Sequence, residues 1–143
     1  MATPRPTRQS IGSVTVVVRD YDEAIDWYTR VLGFLLLEDT DLGHGKRWVR
    51  VAPVGTDDGC ALLLALASDD AQRRCVGAQT GGRVGFFLHT SDFARDFAAL
   101  DARGVRFTQA PRHESYGSVA VFEDLYGNRW DLLGLKEDAD DAG

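Results

Sequence analysis

The 143-residue chain is 44% hydrophobic and 27% charged, the balance of one globular domain large enough for a core. Its 16 basic and 22 acidic residues give a formal charge of −6, and with no basic stripe to neutralise phosphates, nucleic acid is set aside as a partner. No apolar run approaches the roughly 20 residues that span a bilayer, and Cys60 and Cys75 form neither a disulfide framework nor a CxxC motif, so the expected setting is a reducing cytoplasm.

Residues 1–10 carry Arg5, Arg8, Pro4 and Pro6 without a hydrophobic segment and are expected to be a flexible leader. Val14 to Val18 then read as a strand. Asp20 is placed to cap a helix, with Glu23 three residues later as in a capping box. Ala24, Ile25, Tyr28 and Leu32 form one apolar stripe on that helix, which Gly33 closes. A short strand follows near Phe34 to Glu38, and His44 falls in a glycine-flanked turn where it should be exposed. Strands at Arg47 to Ala52 and Cys60 to Leu66 complete the first half, with Cys60 expected in the core. Residues 68–82 are polar and glycine-bearing, a linker with room for a helical turn.

The second half repeats the first. Val84 to His89 is a strand, Asp92 a cap, Phe93, Phe97 and Leu100 a helix face, and Gly104 the helix end. A short strand near Val105 to Gln109, a loop holding His113, and strands at Val119 to Glu123 and Arg129 to Leu135 follow. The last two are joined by a tight turn whose Gly127 supplies positive φ. The tail, 136–143, is acidic through Glu137, Asp138, Asp140 and Asp141, and reads as a solvated end. The domain is thus 11–135, made of module one (11–67), the linker and module two (83–135), each module βαβββ. One module cannot bury both faces of its sheet, so the two are expected to pair around a shared cavity with helices outside.

Two segments carry a resemblance. Tyr28-Thr29-Arg30-Val31-Leu32-Gly33-Phe34 and Phe122 to Leu132, with Asp124, Gly127 and Asn128, resemble signature patterns of the glyoxalase/bleomycin-resistance/extradiol-dioxygenase (vicinal oxygen chelate) superfamily. The resemblance covers residues 11 to about 135. It implies an α+β fold whose two tandem βαβββ modules form a half-open β-barrel cup. It also implies that catalytic members hold one divalent metal with His, Gln or Glu from the first and last strands of each module.

Carried over by position, those ligand sites fall on Ser13, on Gly85, within Ala61, Leu62, Leu63, Leu64 and Ala65, and on Asp131. Only Asp131 is a competent oxygen donor, and a catalytic metal normally takes about three protein ligands. No cofactor is therefore expected. The remaining candidates are His89 and Asp131 as acid and base, and Trp48, Arg50, Phe87, Tyr116 and Trp130 as ligand-binding residues, with Arg47 a further polar anchor. Asp131 is read either as a pocket group or as a sheet carboxylate paired with Arg129 or Arg50. These features favour a metal-independent small-molecule-binding protein, a homodimer by resemblance. The alternative is a metal-dependent lyase or dioxygenase of the same superfamily with a relocated site, so the question of enzymatic activity stays open.

Overall fold

In the computed structural model the chain is described over residues 5–55 and 59–136. The acidic tail from Glu137 onward and residues 1–4 of the leader lie outside those residues. The first module runs β1 (Ser13–Val18), α1 (Tyr21–Asp26), a π-helical turn (Trp27–Val31), β2 (Leu35–Gly43), β3 (Lys46–Ala52) and β4 (Ala61–Leu66). A helix α2 (Asp70–Cys75) occupies the linker. The second module runs β5 (Val84–His89), α3 (Phe93–Ala102), β6 (Arg106–Phe107), β7 (Arg112–Glu114), β8 (Gly117–Glu123) and β9 (Arg129–Leu135).

Each module folds into one mixed sheet. The first has strand order β1-β4-β3-β2, and the second β5-β9-β8-β6 with β7 also paired to β8. In both, the first strand lies parallel to the last, β1 on β4 and β5 on β9, and the remaining pairs are antiparallel. The repeat read from the sequence is therefore a repeat of topology.

The caps act as their residue types require. Asp20 Oδ1 accepts from Glu23 N–H at 2.8 Å and Asp92 Oδ1 from Arg95 N–H at 3.2 Å, satisfying N–H groups the helices leave unpaired. Glu23 does not return the bond that a capping box needs; its carboxylate takes Arg19 and the Tyr126 hydroxyl. Gly33 and Gly104 end their helices at φ of 90° and 87°. Three expectations are corrected here. β2 is nine residues long rather than five, because its antiparallel ladder with β3 continues to the Gly43–Gly45 turn. His113 lies on β7, paired with Ser118, and not in a loop. Cys60 is exposed, since it precedes the first buried residue of β4.

The helix-bearing faces of both sheets share one core. Val16, Val18, Val49, Val51, Leu62 and Leu64 from the first sheet join Phe122, Trp130 and Leu132 from the second, with Tyr21, Ala24, Tyr28, Leu32 and Leu100 from the helices. Tyr28, on the π-helical turn, packs against both Phe34 and Trp130 with ring centroids 6.0 and 6.1 Å apart. The first module's helix thus stands between the sheets. The result is the α+β arrangement of two mixed sheets that the tandem modules imply; the sheets are not closed on one another, and the faces away from the helices point outward.

Two polar devices hold the parts of the chain together, one joining the modules and one joining the linker to β1. Asp124, only 4% exposed, accepts Tyr28 O–H at 2.7 Å through Oδ2, and Asn128 Nδ2 through the same oxygen. Its Oδ1 accepts the N–H groups of Tyr126 and Asn128, each at 2.9 Å. The second device closes the outer edge of β1, where Gln79 Oε1 accepts Val17 N–H at 2.8 Å and Nε2 donates to Thr15 C=O at 2.6 Å. A side-chain amide there makes the bonds a neighbouring strand would make.

Candidate functional site

Strand alternation sorts the candidates. On the first sheet the register places Ser13, Thr15, Leu63, Ala65, Trp48, Arg50 and Glu38 on the outward face. Arg50 is held there, its Nε donating to Ser13 Oγ at 3.0 Å and its Nη1 to Glu38 Oε1 at 2.6 Å. The β3–β4 ladder spans only Val49–Val51 with Leu62–Leu64. Where the strands part, a groove of about 480 Å³ opens, lined by Tyr21, His44, Trp48, Leu63, Leu66 and Gln72. Trp48 is 40% exposed in it. Arg47 belongs to the other face, where its guanidinium bonds Asp39 and Asp22.

On the second sheet Phe87, Asp131 and Val121 lie side by side across three strands, with Leu133 and Val119 in the next row. Phe87 is 58% exposed. His89 is exposed at the end of β5, diagonal to Asp131, and borders a cleft of about 230 Å³ between the modules with Leu32, Phe34, Asp96 and Arg103. Tyr116 sits exposed at the β7–β8 turn. Trp130 is elsewhere: at 3% exposure it stacks on Phe86 and Phe122 in the core. Adjacent strand residues point to opposite faces, so Asp131 and Trp130 cannot both line one surface.

Asp131 is the electrostatic anomaly of this surface. Its Oδ1 is shut from solvent and has no hydrogen-bond partner among the described residues. Neither arginine proposed from sequence reaches it, since Arg129 donates to Gly82 C=O and Arg50 is on the other sheet. Burial pushes the Asp131 carboxyl above its ordinary value of 3.8, with Arg112 pulling weakly the other way. A carboxyl raised by folding costs nothing in acid, where it is protonated in both states; the cost sets in as pH rises past 3.8 and is complete above the raised value. Asp131→Asn should therefore raise the melting temperature at pH 7, since the amide carries no charge to be held beside apolar neighbours. The gap should close below about pH 4. An unchanged or lower melting point at pH 7 would contradict this account.

The positions that the resemblance assigns to metal ligands can be tested for fit. Ser13 is occupied by Arg50, Ala61 to Ala65 offer only hydrocarbon, and a Cβ on Gly85 would already lie 2.6 Å from Thr80 Cγ2. Among the described residues no three His, Cys, Asp or Glu side chains cluster as metal ligands. The donor set does not fit a divalent ion.

A family model for the Glyoxalase/Bleomycin resistance protein/Dioxygenase superfamily matches residues 10–132. The chain belongs to this superfamily. An uncharacterised protein of Shewanella frigidimarina (strain NCIMB 400) is 51% identical over 131 residues, covering 91% of this chain and 96% of its own. Among solved structures, TnmS3, an antibiotic binding protein from Streptomyces sp. CB03234, aligns with a TM-score of 0.74 at 30% identity, covering 92% of this chain and all of that one. A glyoxalase/bleomycin resistance protein from the same Streptomyces strain is 34% identical with a TM-score of 0.68, covering 87% and 99%. Superfamily membership thus rests on sequence and fold together. No helix among the described residues is long and apolar enough to cross a membrane.

Proposed function

We propose that this superfamily member is a small-molecule-binding protein that works without a bound metal. The observation that carries the reading is the donor set: of the four ligand positions, only Asp131 bears a group able to coordinate a divalent ion. The outward faces support a ligand role, since Trp48, Phe87 and Tyr116 expose aromatic surface beside the polar Arg50 and Asp131. The likeness to an antibiotic binding protein at 30% identity points the same way.

We further propose a homodimer. The outward faces of one chain look away from each other, so each is half of a cup. A second copy would set the first sheet of one chain against the second sheet of the other, bringing Trp48 and Arg50 opposite Phe87 and Asp131. Leu35, Leu36, Leu37 and Leu42, all more than 40% exposed on the edge strand β2, are the kind of apolar edge that natural sheets keep covered.

Protein purified without chelator should carry well under one divalent ion per chain by elemental analysis, and light scattering should report a mass near twice the monomer. One tightly held ion per chain would overturn the metal-independent reading. A second reading, acid–base chemistry by His89 and Asp131, is favoured by the burial-raised carboxyl of Asp131. Turnover of a screened substrate that survived replacement of both residues by alanine would end it.

A further inference from the structure

The carboxylates on the outward face of the second sheet are bridged by arginines, with one exception. Glu123 is bridged by Arg106 at 3.0 Å and Glu114 by Arg112 at 3.7 Å, while Arg129 is taken by the Gly82 carbonyl. Among the described residues Asp131 makes no ion pair, and its Oδ1, shut from water, has no hydrogen-bond partner. Its neighbours across the sheet are Phe87 and Val121, and Leu133 lies two residues along its own strand. An unpaired carboxylate among apolar groups is expensive to hold, and it becomes favourable only when a donor arrives to meet it.

Resting on the small-molecule-binding reading above, we infer that the ligand is an arylalkyl amine, or a larger molecule ending in one, whose ammonium meets the open oxygen of Asp131, Oδ2, while its ring lies on the neighbouring Phe87. The exposed Phe87 ring supplies apolar contact for an aromatic body, and its face also attracts a cation held nearby. The opposite polarity is disfavoured, because a ligand carboxylate would face Asp131, and Arg112, the cation felt there, is already bridged to Glu114. On the first sheet Arg50 is already committed to Glu38 and Ser13, so no comparable anion-seeking group faces the ligand's other end.

Calorimetric titration with three probes of one shape tests this: 1-naphthylmethylamine, 1-naphthalenemethanol and 1-naphthaleneacetate. The amine should bind about tenfold more tightly than the alcohol, a difference of about 1.4 kcal/mol, and the acetate most weakly. In Asp131→Asn, which is close in shape and keeps the fold testable, the amine's advantage over the alcohol should fall to within about twofold. Equal affinities in the parent protein, or a preference that survives in Asp131→Asn, would overturn the assignment while leaving the cup reading intact. Binding of no probe would defeat the cup reading and the assignment with it. If Asp131→Asn altered only the dimer mass, with probe preference unchanged, Asp131 would serve the second copy and the assignment would be overturned.

Discussion

Asp124→Ala is expected to cost roughly 3–5 kcal/mol of stability and to lower the melting temperature by about 10 °C or more. The buried carboxylate receives four donors, from Tyr28 Oη, Tyr126 N, Asn128 N and Asn128 Nδ2. Alanine removes all four acceptor bonds at once. Tyr28 is fully buried, so its hydroxyl would be left without water or a partner, the case in which a lost hydrogen bond is most expensive. Tyr28→Phe should be milder, about 1–2 kcal/mol, because Asp124 keeps three donors. Urea unfolding of the two variants checks the order. If Asp124→Ala cost less than Tyr28→Phe, the clasp between the modules would not be the stabilising unit described.

Gly77→Ala should be comparably severe for a different reason. Gly77 has φ of 78°, and an added Cβ would lie 1.8 Å from the carbonyl oxygen of Tyr126 and 2.7 Å from its carbonyl carbon. The obstacle is backbone on the same turn that Asp124 holds, so neither side can yield by a rotamer change. A cost of roughly 3 kcal/mol or more follows from the displacement of that turn together with the positive φ. Gly81→Ala is the control: its φ is 67°, yet no atom lies within 4 Å of the added Cβ, so only the conformational cost of about 1 kcal/mol applies. Equal unfolding midpoints for the two variants would refute the clash. Because Gly77 and Asp124 act on one turn, their combined loss should be smaller than the sum of the single losses.

These two results bear on what the amino-acid order could reveal. Strands, caps and helix-ending glycines are local decisions, made by side chains within a few residues of one another, and Asp20, Asp92, Gly33 and Gly104 all act as expected. The two family segments were legible as patterns, but their physical link was not. Tyr28 and Asp124 are 96 residues apart and meet only in the folded chain. The docking of the modules is also non-local: it is set by Tyr28, Phe34 and Trp130 packing together, which no periodicity announces.

At the candidate site, alternation along a strand correctly groups Phe87 with His89, and it would have removed Trp130 had it been applied from Asp131. The isolation of Asp131 was not legible. Two arginines near it in sequence or on a facing strand looked available, and only their actual partners, Gly82, Ser13 and Glu38, show that both are occupied. Gly77 looked like an ordinary linker glycine for a related reason, since its obstacle comes from a turn some fifty positions away.

The Gln79 side chain limits how two copies of this protein can meet. Along the β1 border of the first sheet, the amide already engages Val17 and Thr15, so an incoming strand finds two of the groups it would need taken. Continuous sheet running from one molecule into the next at that border would first require this glutamine to swing away. Copies that associate there must do so through side-chain surfaces, which favours a closed pair over an open-ended ribbon.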